Sequence, residues 1–470
     1  MALHFNQELQ NKYPHLEMSV LKYSDAMKDN DSKRIDSEFF KKEYLNFKNL
    51  LINIQSEYLK NIAKFNKRYP QPTYDENSNI KVINSQYIRN EFIDYENAKT
   101  GYGKIVPREA VLVNSTGVGT LGRVNINLLN FDFSLDNHIN VIVVDKRIDI
   151  LPCFLMIFLQ TKFGQFQIEK YHSGSSGQIE IYPKDFDNFL IPLFPLEFQQ
   201  QIEQMVRESH ECLEQSKGLY REAEVLLYRE LGLDPENPLA SIEPHSGSLN
   251  ISVRPLSQSL NATGRLDSEY YQQKYDEIER IIKKQKFAKL SDLVNMQKSI
   301  EPGSEAYQEK GIPFIRVSNF NKFGISDTDI FLDFAEFSQT IKPKKETILL
   351  SKDGSIGIAY CVKDDGNFIT SSALLHLNIK REKQREILPE YLTLILNSIL
   401  VKLQSERDSG GSIIAHWRIS EIEQILIPIL DISIQEKIEN LIKQSFTLRQ
   451  KANDLLLTAK QTVENAIEKG

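Results

Sequence analysis

The chain has 470 residues and a formal net charge of −7, and 41% of its residues are hydrophobic and 26% charged. These values are ordinary for a soluble globular protein of more than one domain, and no apolar run approaches the ~20 residues that a membrane helix needs. The 3 cysteines have no CxxC spacing and indicate neither zinc nor a disulfide framework, so we expect a cytoplasmic protein with no metal and no membrane partner.

The first half begins with a polar stretch and reaches the motif RIDSEFF at residues 34–40. Residues 35–65 are amphipathic and rich in Phe, Tyr and Leu, a pattern that predicts helix. From about residue 80 to residue 150, short apolar runs punctuated by Gly and Asn predict strands. Leu-Pro at residues 151–152 then opens a predicted helix with Pro in its first turn. A Gly/Ser loop follows at residues 172–177.

A long helix is predicted to close the first half. It spans residues 199–231, and Gly232 and then Pro235 end it. Residues 235–250 have the polar, Pro-containing composition of a linker.

The second half repeats this order of elements. RLDSEYY at residues 265–271 corresponds to RIDSEFF, and strand-like runs follow at residues 314–317 and 347–350. A second Leu-Pro at residues 388–389 and a second Gly/Ser loop at residues 409–412 precede a final predicted helix. The segments leading into the two long helices also correspond, IPLF before FQQQIEQMV and IPIL before IQEKIENLI. Ordered markers that recur at nearly the same spacing indicate a duplicated domain.

We therefore expect an α+β chain in which two tandem homologous α/β domains are joined by a long antiparallel helical coiled coil. The predicted boundaries are a first domain at 1–196, a central spacer helix at 197–234, a linker at 235–250, a second domain at 251–432 and a C-terminal spacer helix at 433–470.

The two long helices carry matching heptads, with one mostly large layer and one small layer. Small residues let two helix backbones approach closely, which favours pairing of the helices with each other over packing of each on its own domain. The first helix leads away from the first domain and the second must return, so the pair would be antiparallel. The predicted pairing residues are Met205, Ser209, Cys212, Ser216, Leu219, Ala223, Leu226, Leu441, Ser445, Leu448, Ala452, Leu455 and Ala459.

Motifs for catalysis or cofactor binding are weak or absent. The GxGxxG at residues 117–122 precedes an alternating, strand-like stretch, whereas a dinucleotide site requires a helix to begin there. We interpret it, and its counterpart at residues 352–357, as a glycine turn between strands. The sequence has no Walker A motif, no HExxH and no Asn/Asp-Pro-Pro-aromatic segment. We therefore predict no catalytic residue, no cofactor and no metal.

Polar loop residues are the best candidates for binding, because Arg, Asn, Gln, Lys and Ser form hydrogen bonds with phosphates and base edges. Any one of them is more often an ordinary turn or surface residue. The predicted DNA-binding residues are Asn84, Gln86, Arg89, Ser115, Thr116, Arg123, His172 and Ser175 in the first half, and Arg316, Ser318, Asn319, Lys352, Asp353, Ser355, Ser412, His416 and Arg418 in the second.

Together these motifs resemble the specificity subunit of a type I restriction-modification system. The resemblance covers the whole chain and rests on RIDSEFF and RLDSEYY, on GIPFIRVSNF, on the turns STGVGTLGR and SKDGSIG, and on LEFQQQIE and ISIQEKIE. It implies two target-recognition domains, each of which reads one half of a bipartite sequence in double-stranded DNA.

The resemblance also implies partners. The two long helices would act as a spacer and would dock two modification (methyltransferase) subunits, and restriction (helicase-nuclease) subunits would join that core. The modification subunits would bind S-adenosylmethionine, which agrees with the absence of a cofactor motif in this chain.

Two alternatives from other classes stay open at this point. The chain could be a DNA methyltransferase or nuclease with its own active site, although the absent motifs argue against it. It could instead be a coiled-coil scaffold whose end domains bind proteins.

Overall fold

A computed structural model describes residues 8–9, 11–18, 20–28, 30, 33–174, 177–242, 251–259, 264–409 and 416–470. The chain divides into two compact units, Met1–Glu214 with Arg449–Gly470, and Gln215–Leu448. Each unit therefore holds one end of each long helix. Residues 243–250 of the predicted linker lie outside the described residues.

The first unit contains the helices α1 (Tyr23–Ala26), α2 (Lys42–Asn53), α3 (Leu59–Ile62), α4 (Pro152–Gln160), α5 (Lys162–Tyr171), α6 (Pro183–Phe186) and the first part of α7 (Leu196–Glu230). Its strands are β1 (Ser56–Tyr58), β2 (Ala63–Arg68), β3 (Thr73–Tyr74), β4 (Lys81–Ile83), β5 (Gly101–Tyr102), β6 (Val111–Asn114), β7 (Val124–Ile126), β8 (Phe133–Leu135), β9 (Ile139–Val144) and β10 (Leu190–Pro192).

Four of these strands form an antiparallel sheet in the order β2-β9-β6-β7. Helix α4 packs on β6 and β7. Its sequence, PCFLMIFLQ, is apolar on all sides, and residues 153–160 are all buried. A helix that is hydrophobic all round belongs in a core, and each buried Leu or Phe contributes roughly 1.5–3 kcal/mol. The sheet and α4 are therefore the centre of this unit.

A smaller layer lies beside this sheet and has its own apolar cluster. Strands β4 and β8 run parallel, with Ile83 opposite Leu135. Both residues are buried in one cluster with Leu112 and Val141 of the main sheet. Because β4 and β8 are parallel, the loops that follow them emerge at the same edge.

The second unit contains the rest of α7 and the helices α8 (Leu256–Gln258), α9 (Gln273–Lys283), α10 (Leu290–Leu293), α11 (Phe334–Phe337), α12 (Pro389–Asn397), α13 (Ile399–Asp408), α14 (Ile419–Ile422) and the first part of α15 (Ile432–Lys469). Its strands are β11 (Phe287–Lys289), β12 (Val294–Lys298), β13 (Ile312–Ile315), β14 (Phe320–Asn321), β15 (Gly324–Ile325), β16 (Phe331–Leu332), β17 (Ile348–Ser351), β18 (Ala359–Cys361), β19 (Ile369–Thr370), β20 (Leu374–Ile379) and β21 (Leu426–Pro428).

The second unit repeats the arrangement of the first. Its main sheet has the order β12-β20-β17-β18, and α12 packs on β18. Strands β13 and β19 run parallel, with Ile315 opposite Thr370, as β4 and β8 do. Strand β11 pairs with β21 as β1 pairs with β10. The duplication predicted from the repeated motifs is confirmed.

The prediction of helix over residues 35–65 is only partly right. Helix α2 covers Lys42–Asn53, but β1 and β2 follow it. These strands pair with β10 and β9, which lie far along the chain, so their local amphipathic pattern could not reveal the partners that make them strands. In RIDSEFF, the Asp36 carboxylate accepts the backbone N–H of Phe39 at 3.0 Å and caps a turn before α2.

The long helices α7 and α15 have 35 and 38 residues, and α7 is slightly longer than the helix predicted over residues 199–231. In the first unit, the Ser209 hydroxyl donates to the backbone carbonyl of Ala452 at 2.8 Å. In the second unit, the Ser445 hydroxyl donates to the carbonyl of Ser216 at 2.8 Å. The predicted small layer is buried throughout, with exposures of 3% for Ser209, 0% for Ser216 and Ala223, 1% for Ser445, 2% for Ala452 and 0% for Ala459.

The large layer differs from the prediction by one residue along α7. The positions that follow the predicted ones carry the buried side chains of Val206, Leu213, Tyr220 and Leu227. Positions three and four residues after a small residue both face the same side of a helix. Here Val206, Tyr220 and Leu227, at the fourth position, are members of the core clusters of their units. Of the predicted layer Cys212 is buried, and the others are half-buried: Met205, Leu219, Leu226, Leu441, Leu448 and Leu455.

Candidate nucleic-acid interface

In the first unit, a series of backbone hydrogen bonds joins four polar loops at one edge. The N–H of Asp136 donates to the carbonyl of Ile83 at 3.1 Å, which links the loops after β8 and β4. The N–H of Ser115, after β6, donates to the carbonyl of His138 at 2.9 Å. The N–H of Ile181 donates in turn to the carbonyl of Ser115 at 2.9 Å.

The second unit has the same series with different side chains. The N–H of Ser371 donates to the carbonyl of Ile315 at 2.8 Å. The N–H of Lys352, after β17, donates to the carbonyl of Ala373 at 2.9 Å, and the N–H of Trp417 donates to the carbonyl of Lys352 at 2.9 Å. The backbone frame is therefore duplicated at both edges.

These two sets of loops are called the first and second loop edges. The first loop edge comprises residues 84–90, 114–117, 136–138 and 177–182, and the second loop edge comprises residues 316–319, 351–355, 371–373 and 416–418.

A short 3-10 turn follows the parallel strand at each loop edge. In the first, the Asn84 side chain accepts the N–H of Gln86 at 3.0 Å and caps the turn Ser85–Tyr87. In the second, the side chain of Asn319 accepts the N–H of Arg316 at 3.3 Å. The side-chain oxygens of both asparagines therefore accept backbone N–H groups. Gln86 and Ser318, the middle residues of these turns, are exposed.

Two arginines lie close together beside the first loop edge. The Asn125 amide donates to the carbonyl of Arg89 at 2.7 Å, which holds that loop against β7. Burial and the nearby charge of Arg89 lower the pKa of the Arg123 guanidinium, and Glu91 acts in the opposite direction. Guanidinium groups of this kind contact DNA phosphates.

The glycine-rich segment between β6 and β7 is a turn. Gly117, Gly119 and Gly122 have φ angles of 91°, 78° and 81°, in the left-handed region that glycine adopts at no steric cost. Arg123 leads directly into β7, and no helix begins within residues 114–126. The segment lacks the helix N-terminus that a dinucleotide site requires, so the interpretation as a glycine turn is confirmed.

Thr116, His138 and Glu180 form a polar cluster at the first loop edge. The Thr116 hydroxyl lies 3.0 Å from His138 Nδ1. Arg68 forms an ion pair with Glu180 and donates to the carbonyl of Ile181. Burial would raise the pKa of the Glu180 carboxyl, but hydrogen bonds from Arg68 and Tyr182 outweigh it and hold that pKa below its usual range. Glu180 is therefore an ionised acceptor at neutral pH.

Lys352, Asp353 and His416 form the corresponding cluster at the second loop edge. Lys352 Nζ forms an ion pair with the Asp353 carboxylate, and His416 Nδ1 lies 2.9 Å from Asp353 Oδ1. Burial would raise the pKa of the Asp353 carboxyl, but these two partners lower it below its usual range. Arg316 adds a cation whose buried Nε has no hydrogen-bond partner among the described residues.

Some predicted candidates serve the structure instead. The Ser115 side chain is fully buried, and its hydroxyl donates to the carbonyl of His138 at 2.8 Å. Arg418 forms an ion pair with Glu421 in the first turn of α14. The Ser115 side chain is therefore not placed to reach a ligand, whereas the Arg418 side chain is 74% exposed beside its ion pair.

The remaining candidates lie around the loop edges. His172 ends α5, and its Nδ1 lies 2.6 Å from the carbonyl of Glu169. Ser355 is exposed, and its carbonyl accepts from the Ser351 hydroxyl at 2.6 Å. Ser175 and Ser412 lie outside the described residues.

Sequence reasoning missed several polar residues at these edges. Arg68, Glu180 and His138 stand in the first cluster, and the Ser372 hydroxyl donates to Glu301 at 3.0 Å beside the second. The signal was a polar interruption between two apolar runs, DNH at residues 136–138. The two halves would have to be aligned loop by loop to find it.

Among the described residues, no group of three His, Cys, Asp or Glu is suited to hold a metal ion. None of the helices in that part of the chain is long and apolar enough to cross a membrane.

The sequence matches the family described as "Type I restriction modification DNA specificity domain" twice, over residues 52–224 and 282–456. No curated protein matches the chain.

Three solved structures resemble the chain, each at 14% identity over 88% of it. They are the type I restriction-modification S subunit from M. genitalium (95% of that chain, TM-score 0.41), a structure titled for complex assembly and conformational transition of the type I R-M system (96%, 0.29), and the HsdS subunit from Thermoanaerobacter tengcongensis (96%, 0.28). Only the family match bears on function.

Proposed function

Because the chain belongs to the family of type I restriction-modification DNA specificity domains, matched in both halves, we propose that it reads a bipartite, asymmetric target in double-stranded DNA. Specificity subunits of this family recognise DNA and are not catalytic. Each unit would read one half of the target with its loop edge.

One observation carries this proposal: the same backbone frame is built twice and bears different side chains. The first loop edge presents Thr116 and His138 beside the Glu180 carboxylate. The second presents the Asp353 carboxylate between Lys352 and His416. Bases in the major groove are distinguished by their pattern of donors and acceptors, so two unlike sets of side chains favour two unlike half-sites.

The long helices would form an antiparallel coiled coil that spaces the two domains. Support comes from the buried contacts of Ser209 with Ala452 in the first unit and of Ser216 with Ser445 in the second. A helix of 35 residues spans roughly 50 Å at 1.5 Å per residue. Tilt of the helices and the inward reach of the domains would reduce this to about one turn of DNA, roughly 34 Å, between the centres of the half-sites.

The partners in this proposal are two modification subunits, which bind S-adenosylmethionine, and restriction subunits that join them. A net charge of −7 makes the chain a poor competitor for phosphates, because non-specific affinity comes mainly from Lys and Arg. Partners that enclose the duplex would supply the missing positive surface. Exposed acidic residues of α7, such as Glu211 and Glu222, offer docking points for basic surfaces.

Selection of duplexes from a random library tests the proposal. The complex of this chain with its modification subunits should enrich a sequence with two unlike halves separated by a fixed gap. Enrichment of a palindrome, or of no sequence, would count against it. Methylation or cleavage of DNA by the purified chain alone, with S-adenosylmethionine or a divalent metal, would favour the enzyme alternative. If the chain binds its protein partners but the complex binds all DNA sequences equally, the scaffold alternative is favoured.

A further inference from the structure

Gln199 and Gln435 occupy the same place in the first turn of the two long helices, and both are fully buried, at 0% exposure. A buried amide is costly unless its donors and acceptor are satisfied. Each of these side chains is satisfied entirely by backbone groups of its own unit.

In the first unit, Gln199 connects three backbone groups. Its Nε2 donates to the carbonyl of Asp149 at 2.9 Å and to the carbonyl of Phe194 at 2.8 Å. Its Oε1 accepts the N–H of Leu151 at 2.9 Å. The long helix α7 is thereby attached to the turn that opens the core helix α4.

In the second unit, Gln435 makes the same three bonds. Its Nε2 donates to the carbonyl of Glu386 at 3.0 Å and to the carbonyl of Leu430 at 2.8 Å. Its Oε1 accepts the N–H of Leu388 at 3.0 Å. Both Leu-Pro helix starts singled out in the sequence are therefore held by a glutamine of the following long helix.

The first junction also has apolar contacts, and at the second the Tyr391 hydroxyl donates to the carbonyl of Pro428 at 2.9 Å. Phe194 packs against Phe198, with ring centroids 4.8 Å apart, and both lie near Phe154. Apolar contact holds a helix close to its domain but is not directional. Hydrogen bonds to three backbone groups restrict the orientation of the first turn of the helix more than apolar contact does.

We propose that Gln199 and Gln435 are positioning residues that fix the direction of each long helix relative to its recognition domain, and thereby the gap between the two half-sites. This inference rests on the proposed function as a reader of a bipartite target. Neither residue contacts DNA in the proposal, so base preference within each half-site does not depend on them.

The chain supplies a matched control. Gln167 and Gln404 are also buried, at 6% and 4% exposure, and also occupy equivalent places in the two units. Gln167 accepts the N–H of Leu190 and donates to two carbonyls, and Gln404 does the same with Leu426. These bonds hold α5 to β10 and α13 to β21 and do not involve the long helices.

The test uses the complex with the modification subunits and a library of duplexes that carry both half-sites of the wild-type target at varied gaps. Gln199→Leu and Gln435→Leu should each lower the preference for the best gap over its neighbours by roughly tenfold, the effect of one or two lost net hydrogen bonds. Gln199→Glu keeps the size of the side chain but loses the Nε2–H donors, and it should also lower the preference for the best gap. Base preference within each half-site should not change.

Gln167→Leu and Gln404→Leu should lower the melting temperature without changing the preferred gap. If the Gln199 and Gln435 variants keep the wild-type gap preference, or if the control variants broaden it equally, the inference is overturned. If the wild-type complex selects no bipartite sequence, the proposed function fails instead. If Gln199→Leu does not fold, the gap preferences of Gln199→Glu and Gln435→Leu test the inference in the same assay.

Discussion

At the scale of single residues, Ser115 and Lys352 show how the two copies differ. Both donate the same backbone hydrogen bond within the loop edge. The Ser115 side chain is buried against the carbonyl of His138, whereas Lys352 forms an ion pair with Asp353. Since the backbone is alike at the two positions, the difference in what each edge can recognise lies in the side chains.

Asp353→Asn should weaken binding to only one half-site. The change replaces an acceptor with a donor and removes the attraction for Lys352 and His416. A good base contact is worth about 1–3 kcal/mol, or roughly 5- to 160-fold in affinity. Competition between duplexes altered in one half-site at a time measures the effect on each half.

Asp365→Asn is the matched control for that variant. Asp365 forms an exposed ion pair with Lys344 at the opposite end of β17, and its replacement should leave both half-sites unaffected. An equal loss for both half-sites in Asp353→Asn would show that Asp353 does not read bases.

His376 should make the stability of the second unit depend on pH. It lies in β20 at 1% exposure, with Nε2 2.8 Å from the Thr370 hydroxyl, and burial lowers its pKa from 6.5 to about 4. In the unfolded chain the His376 imidazole is protonated as the pH falls through 6.5, whereas in the folded chain it is protonated only near pH 4. The free energy of unfolding should therefore decrease by about 3 kcal/mol in total as the pH is lowered from 6.5 to about 4.

Denaturant unfolding between pH 7 and pH 4.5 checks this. His376→Gln should flatten the pH dependence, and His15→Gln, at an exposed position, should leave it as in the wild type. The same slope in His376→Gln as in the wild type would assign the acid sensitivity to other groups.

At the scale of elements, residues of the small layer of α7 and α15 contact each other within each unit. Ser216→Leu or Ala452→Leu would place a large side chain at a position exposed by no more than 2%. Overpacking of this kind costs about 1–3 kcal/mol, so the melting temperature should fall. Gln215→Leu and Asn453→Leu, at exposed neighbouring positions, should have little effect. Unchanged melting in the first two variants would mean that the helices do not pack through this layer.

Elements whose signal is local could be predicted from the sequence. The long helices, the Leu-Pro helix starts and the glycine turn between β6 and β7 each depend on residues that are near one another in the chain. Strands β1 and β2 could not be predicted, because distant partners define them. The large layer of α7 was displaced by one position, because two adjacent positions face the same side and packing in each unit decides between them.

The candidate site could be predicted only in part for a related reason. The loops after β4, β6, β13 and β17 were identified from their polar side chains. That they form one edge with residues 136–138 and 371–373 depends on backbone bonds between distant segments. The shared backbone arrangement of the two loop edges is recognised only when the two copies are compared.

At the scale of the whole molecule, specificity should be modular. Replacing residues 251–432 with the corresponding domain of another family member should change one half of the selected sequence and leave the other half as it was. The reason is that each loop edge is built within its own unit. Library selection with the hybrid complex measures this, and the reciprocal replacement of residues 1–196 serves as the control. A change in both halves would show that the two edges act together.

The first unit combines two segments that lie far apart in the sequence, Met1–Glu214 and Arg449–Gly470. Ala459, Val463 and Ile467 of α15 lie in the same apolar cluster as β6 and α4. During translation the nascent first unit must therefore wait for α15 to leave the ribosome. At about 5–20 residues per second, its apolar surface stays uncovered for tens of seconds. A prematurely terminated chain would keep that surface exposed, and chaperones or proteases could distinguish it from the finished product.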